Sequence, residues 1–294
     1  MPVNADPLLV IGASGRVGRL MAAHWADLRA PVILQGRGAP VRADLPFLHW
    51  APLSDGAGAL VTGLGPARPR AMLVLAGVTP SSRDPDELAL NARIADACLK
   101  AAAEAGIARV LLASSSAVYA EARATPWRED EAPEAPPSPY GAAKRAMEKL
   151  GAEWRGRGHS VCSLRIGNVA GADALLINAA LEAPQFIDRF ASGGGPVRSY
   201  IGPVSLVRVI EALAAAPDLP EVLNVAAPAP VAMADLARAA GGDWRWRPAP
   251  DGAVERLTLD CTALTRLVHF APSESTAAEM VAQWRSCRAG AGGA

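Results

Sequence analysis

The sequence predicts an α/β fold: a doubly wound parallel sheet followed by a smaller C-terminal α/β region. Three observations predict it. Short apolar runs alternate with stretches of helical periodicity, the pattern of a parallel sheet covered by helices on both faces. The first run empties into a glycine-rich loop that opens the first helix. The alternation then weakens after about residue 171. The chain is therefore divided into residues 1–170 and 171–294, with a segment of about 199–226 packing back on the first unit.

The elements follow in order. Leu8–Ile11 is apolar and ends in glycine, and "RVGRLMAAHWADL" behind it has helical spacing. "PVILQGRG" and "AMLVLAG" (71–77) are further apolar runs closed by glycine. Residues 84–106 form a long helix pattern, with Asp84 to cap it, Pro85 in its first position and Gly106 to end it. "ARVLLASSS" (108–116) reads as a buried strand, and a Pro-rich acidic loop (125–139) follows. A helix then starts near Tyr140, and "HSVCSLRIGNV" (159–169) is the next strand. Beyond residue 171, "SGGGP" (192–196) is a turn. "RSYIGPVSLVRVIEALAAA" passes from strand to helix, and "EVLNVAAP" is one more strand. The tail from about 229 mixes short helices with loops, and no internal repeat is present.

Composition limits the function classes. The 294 residues, 51% of them hydrophobic, are ample for a buried core. Twenty-nine basic residues balance 29 acidic ones, which argues against binding a nucleic-acid backbone. The apolar runs are of strand length and broken by charges, so no membrane span is expected. The N-terminus lacks a basic region before its apolar run and reads as a first strand, not a signal peptide. Cys98, Cys162, Cys261 and Cys287 are scattered, with no CxxC. This points to a reducing, cytoplasmic setting and no zinc. The four histidines do not cluster, and no metal site is expected.

"GASGRVG" places Gly12, Gly15 and Gly18 between the first strand and the first helix. Glycine there permits a tight turn and close approach of a dinucleotide pyrophosphate, which the N–H groups at the helix start then face. The end of the second strand distinguishes cofactors: an acid suits the ribose hydroxyl of NAD, an arginine the 2′-phosphate of NADP. Gln35 occupies the acid position, Arg37 follows, and Arg16 adds charge in the glycine loop. NADP is favoured and NAD stays open.

Tyr140 and Lys144 stand four apart on one predicted helix and share a face. A tyrosine near its ordinary pKa of about 10 needs help to exchange protons at neutral pH. A lysine held positive one turn away favours the phenolate and also grips a cofactor ribose. A hydroxyl to orient a substrate carbonyl is expected on the strand end just before, where Ser114, Ser115 and Ser116 stand.

With these motifs in view, the sequence resembles the extended short-chain dehydrogenase/reductase family, the NAD(P)-dependent sugar-nucleotide epimerases and dehydratases, over nearly its whole length. The resemblance implies a Rossmann-type sheet. "GASGRVG" resembles the cofactor loop, bringing in Ser14 and Val17 beside the glycines and Arg16. "LAGVT" resembles the fourth-strand segment and implies cofactor contacts from Leu75, Ala76 and Gly77. Asn91 falls at a position that the family commonly fills with Asn. "LLASSSAVYA" resembles "SSxxVYG", and counting back four from Tyr119 makes Ser115 the catalytic hydroxyl. "YGAAKRAMEKL" is similar to the YxxxK helix, Glu148 included. "LRIGNVAG" resembles "RxxNVYG", which passes the nicotinamide and implies roles for Ile166, Asn168 and Val169. "VRSYIGPVSL", "LNVAAP" and "LTLDCTALTRLVHFAP" resemble three further family segments.

Departures narrow the expectation. Family dehydratases carry Asp-Glu directly after the catalytic Thr; Ser116 and Ala117 stand there, so 4,6-dehydration is not expected. "SYIGPVSL" lacks the His and Asp of its counterpart, "FLHWAPLSD" lacks an adenine-contacting Asp, and Ala170 replaces a usual Tyr. On the substrate side the resemblance implies Ser115, Ser116 and Asn168, with Arg198, and more loosely Arg247, on a nucleotide-sugar pyrophosphate. The expected function is that of an NAD(P)-dependent oxidoreductase or epimerase, transferring hydride at a carbonyl or hydroxyl carbon of a nucleotide sugar. The alternatives are an NADPH-dependent reductase of a smaller carbonyl compound and a non-catalytic dinucleotide sensor. The resemblance also implies a homodimer formed through helices at about 85–105 and 140–156.

Overall fold

The first apolar run becomes β1 (Leu8–Ile11) because both of its faces are covered. Leu8 and Val10 join one core cluster, and Leu9 and Ile11 join another on the opposite face. The computed structural model describes residues 6–28, 31–82, 84–119, 123–134, 136, 138–180 and 185–289. After β1 come α1 (Arg16–Leu28), β2 (Val32–Gly36), β3 (Phe47–His49), α2 (Gly56–Leu64) and β4 (Ala71–Val74). Then follow α3 (Pro85–Glu104), β5 (Arg109–Ser115), α4 (Pro139–Gly156) and β6 (Ser160–Ile166). The second half adds β7 (Asn168–Val169), α5 (Ala174–Ala180), β8 (Gln185–Arg189), β9 (Val197–Arg198), β10 (Tyr200–Ile201), α6 (Pro203–Ala215) and β11 (Val222–Val225). It closes with β12 (Val231–Ala232), α7 (Met233–Ala240), β13 (Trp244–Pro248), β14 (Arg256–Leu257), α8 (Thr262–Thr265) and α9 (Ala277–Ala289).

Seven strands form one sheet in the order β11-β6-β5-β4-β1-β2-β3, and every neighbouring pair is parallel. The order reverses beside β1, so a crevice opens where the carboxyl ends of β1 and β4 diverge. One layer is α1 with α6, through Met21, Trp25, Leu206 and Ile210. The other is α2, α3 and α4, through Leu60, Leu99, Met147 and Trp154. Each fully buried side chain of this size contributes about 1.5–3 kcal/mol relative to exposure. A third cluster packs α5, α7 and α9 together through Leu176, Leu236, Met280 and Trp284. Among the described residues no helix is long and apolar enough to cross a membrane.

Side-chain caps set the two helices that matter most, the first of them expected from the sequence. The Asp84 side chain accepts from Asp86 N at 2.9 Å and Pro85 opens α3. The Ser138 side chain accepts from Gly141 N at 2.9 Å and Pro139 opens α4, one residue before Tyr140. Several short elements were not expected from the sequence, two of them informative. The glycine-rich "GAGALVTGL" is helical as α2, because burial of Leu60 and Leu64 overrides its poor propensity. "WRWRP" is a strand, β13, paired in parallel with β8.

Candidate active site

The carboxyl ends of β1, β4, β5 and β6 converge on two adjoining clefts. The first, of about 350 Å³, runs from Gly12 and Ser14 past Gln35 and Arg37 to Leu53 and Leu90. The second, of about 530 Å³, runs from Gly15 and Arg16 past Ser115, Tyr140 and Lys144 to Asn168 and Asp173. Gly12 and Gly15 line both, so the glycine loop is their common wall.

Gly12 has φ +83°, and a Cβ there would lie 2.6 Å from Ala76 N. The loop therefore passes against the end of β4 only with glycine at this point. Gly12 N donates to Gln35 Oε1 at 2.8 Å, and Gln35 Nε2 donates to Trp50 O. Gln35 is thus buried and both ends of its amide are engaged by backbone. Arg37 is exposed at the rim, and among the described residues no carboxylate lines the first cleft. The first-turn N–H groups of α1 lie along the second cleft, at Arg16, Val17 and Gly18. These features fit a dinucleotide: a glycine cradle, helix-end donors for a pyrophosphate and a rim cation.

The sequence left three serines open by position. Ser114 Oγ donates to Glu148 Oε1 at 2.6 Å, and Ser116 begins a short 3-10 turn outside the clefts. Ser115 lines the second cleft, and its Oγ also accepts from Ala117 N at 3.2 Å. Tyr140 reaches it because α4 starts hard against that turn. A Cβ on Gly141 would sit 2.2 Å from Ala117 O, so glycine alone permits the approach.

Burial pushes the Tyr140 hydroxyl up from its ordinary pKa, while the Ser115 hydroxyl and the Arg16 guanidinium pull it down. Lys144 Nζ donates to Ala113 O at 2.8 Å and lies 5.8 Å from the centre of the Tyr140 ring. Burial lowers Lys144 to about 8, against the opposing pull of Glu148. Lys144 can thereby serve as the counter-charge beside a tyrosine that gives and takes a proton.

Most of the expected cofactor positions lie along the clefts, Ile166, Asn168 and Val169 included. Asn91 lies outside both. Its amide is used by Val78 N at 3.2 Å, Val78 O at 3.3 Å and Leu88 O at 3.0 Å. It fastens α3 to the loop after β4 and so places Leu75–Gly77. The two arginines expected on the substrate side also lie outside. Arg198 donates to the carbonyls of Val197 at 2.9 Å, Glu255 at 3.0 Å and Val254 at 2.6 Å. Arg247 Nε donates to Asp188 Oδ1 at 2.6 Å.

The sequence reading missed Asp173, the one carboxyl along the second cleft among the described residues. It accepts from Leu176 N at 3.2 Å and Gly171 N at 3.3 Å, and burial pushes its carboxyl up. "DALL" was a legible cap signal for α5, but nothing in the sequence says that the cap faces a cleft.

Known proteins resemble this chain in part of its sequence or in its fold. The UDP-glucose 4-epimerase of Azospirillum brasilense is 44% identical over 79 residues, 26% of this chain, and the match spans only 21% of that protein's length. The solved UDP-glucose 4-epimerase of Thermus thermophilus, in complex with NAD, superposes with a TM-score of 0.76 at 22% identity. That match covers 95% of this chain and 99% of the other. DesIV, the dTDP-glucose 4,6-dehydratase of Streptomyces venezuelae, superposes at 0.74 with 21% identity, covering 96% and 98%. Epimerases and dehydratases therefore share the fold equally. The model of one family spans residues 8–226, from the first strand of the sheet to its last, with Ser115, Tyr140 and Lys144 inside it. The chain belongs to the NAD dependent epimerase/dehydratase family.

Proposed function

We propose that this chain is an NADP(H)-dependent oxidoreductase or epimerase that transfers hydride at a carbon alternating between alcohol and carbonyl, with a nucleotide sugar as substrate. A reductase exchanges its dinucleotide, whereas an epimerase returns the hydride to the other face and keeps its dinucleotide. The observation that carries the reading is the meeting of Ser115, Tyr140 and Lys144 in a cleft walled by the glycine loop. A nicotinamide dinucleotide bound there supplies or accepts the hydride. The residues of the chain do the rest. Ser115 Oγ–H donates to the substrate oxygen and fixes it beside Tyr140. Tyr140 gives its hydroxyl proton to that oxygen in reduction and takes one back in oxidation. Lys144, held positive, stabilises the phenolate left behind.

NADP rather than NAD is supported by the engaged amide of Gln35, the rim position of Arg37 and, among the described residues, the lack of a carboxylate along the first cleft. The nucleotide-sugar reading draws on the printed activities of the epimerases and dehydratase above. Residues 171–294 supply most of the substrate side. Ser116 and Ala117, in place of Asp-Glu, argue against 4,6-dehydration, while a dehydratase shares the fold. That reaction therefore belongs in the assay panel. The four buried cysteines suit a cytoplasmic setting. A homodimer through α3 and α4 is part of the reading, although among the described residues no large exposed hydrophobic lies on either helix. Sedimentation giving a monomer at micromolar concentration removes it.

The test is purified protein with NADPH or NADH and a panel of UDP- and dTDP-sugars and their 4-keto forms. Turnover with NADPH, lost in Tyr140→Phe, is expected. Turnover unaffected by that change refutes the assignment.

A second reading, a reductase of a smaller carbonyl compound, is favoured by the engagement of Arg198 and Arg247 outside the cleft. Calorimetry separates the two: failure to bind any nucleoside diphosphate, with reduction of small ketones, selects the second.

A further inference from the structure

Behind the site lies a buried polar chain that none of the proposed chemistry uses directly. Glu148, 2% exposed, stands one turn beyond Lys144 on the same face of α4. Its Oε1 accepts from Ser114 Oγ at 2.6 Å and from Arg165 Nε at 2.9 Å. Its Oε2 accepts from Arg165 Nη2 at 2.9 Å and from Arg145 Nη1 at 2.9 Å. Arg165 Nη1 continues the chain to Tyr119 Oη at 2.9 Å and Glu129 O at 2.7 Å. Tyr119 Oη donates to Asn224 Oδ1 at 2.7 Å, and Asn224 Nδ2 donates to Trp127 O and Asp260 O. One carboxylate therefore joins the end of β5, the middle of α4 and β6. Its arginine joins these to β11 and to the loop at 127–129.

We propose that Glu148, braced by Arg165, is a positioning residue: it locks Ser114, and so the adjacent Ser115, to the helix that carries Tyr140 and Lys144. The inference rests on the reading of Ser115, Tyr140 and Lys144 as the reacting constellation. Three features support it. Ser114 and Ser115 are consecutive on β5, so a bond at one fixes the pleat at the other. The bidentate geometry of Arg165 on Glu148 resists rotation about the α4 axis. The negative charge one turn from Lys144 also favours its ammonium form.

On its own helix Lys144 stands beside Tyr140 and Glu148. Glu148 in turn holds Arg145 on the same helix, Ser114 on β5 and Arg165 on β6, and Arg16 in the glycine loop acts on Tyr140. Tyr119 and Glu129 face Arg165 from the far side. Of these, Glu148 is the anion that opposes the effect of burial on Lys144. Making it neutral lowers Lys144 further, so the ammonium is lost at lower pH. In the reductive direction this moves the alkaline limb of the rate profile toward acid.

The experiment compares wild type, Glu148→Gln and Ser114→Ala, with Tyr140→Phe as control. Each is measured for kcat, KM, dinucleotide binding by fluorescence quenching, thermal midpoint and the pH profile of the reductive reaction. For Glu148→Gln, kcat falls roughly tenfold or more with KM within about threefold, and the alkaline limb moves down by about one pH unit. Ser114→Ala, a small excision that leaves the ion pair, lowers kcat by roughly threefold to tenfold with dinucleotide affinity retained. An alkaline limb that stays in place in a folded Glu148→Gln overturns the inference, and so does wild-type kcat in Ser114→Ala. If Glu148→Gln does not fold, Ser114→Ala decides alone. Turnover surviving in Tyr140→Phe fails a different statement, the role of Tyr140 itself.

Discussion

Lys144 is almost fully shielded from water, and burial pulls its ammonium from the ordinary 10.5 to about 8. A displacement of that size means that the fold tolerates the charge at a cost of roughly 3 kcal/mol, at about 1.4 kcal/mol per pH unit. Methionine has a stem of similar length and no charge. Lys144→Met removes the desolvation cost but leaves Ala113 O without its donor, a loss of about 1 kcal/mol. The variant is therefore expected to gain about 1–2 kcal/mol at pH 7, or roughly 2–4 °C in Tm, while losing turnover. The pH dependence follows from the sign. The folded state binds fewer protons than the unfolded state between about 8 and 10.5, so the wild-type cost is full below 8 and fades as pH rises to 10.5. The advantage of the variant should fade over the same window. Urea unfolding of both proteins at several values between about pH 7 and 10 measures it. A variant less stable than wild type at pH 7, or an advantage that does not change with pH, refutes the reasoning.

Two further outcomes follow from the clefts. Arg37→Ala should weaken NADPH binding roughly tenfold and NADH binding less than about twofold, as a charged contact to a 2′-phosphate is worth about 1.5–3 kcal/mol. Equal losses, measured by fluorescence titration, refute the role of Arg37. Gly141→Ala should cost about 1–3 kcal/mol, because the new Cβ, 2.2 Å from Ala117 O, drives the start of α4 away from β5. Its kcat should fall more than its dinucleotide affinity; wild-type kcat with full stability counts against the close approach.

The layout of the residues along the clefts was legible because its determinants are local. A glycine loop, a capped helix and a YxxxK pair each lie within a few consecutive residues, and the backbone fixes where they point. The sheet was legible for the same reason: runs such as "LLVI" and "RVLLASS" are largely buried on both faces. What stayed hidden depends on partners distant in sequence. Gln35 sits where an acid would serve NAD. That its amide would be engaged by Gly12 N and Trp50 O depends on backbone brought together by the fold. The same holds for Asn91, whose amide grips Val78 and Leu88 backbone. Asp173 was readable as a cap but not as a cleft wall. The helix α2 defied its own composition because only tertiary burial of Leu60 and Leu64 holds it.

The arginines lead to a sharper expectation about the substrate side. Arg198 is tied to three backbone carbonyls, all neutral acceptors. Turning to a diphosphate would trade neutral acceptors for anionic ones and add direct charge–charge attraction, so the exchange favours binding. Arg247 is tied to Asp188, already an anion, and gains little by exchanging one for another. If the substrate carries a diphosphate, Arg198→Ala should therefore weaken its binding by roughly tenfold or more, and Arg247→Ala by less than about threefold. Isothermal titration with UDP and UDP-glucose measures both. A larger loss in Arg247→Ala refutes the argument from existing partners. Equal retention of affinity in both variants moves the diphosphate, and with it the nucleotide-sugar reading, away from these strands.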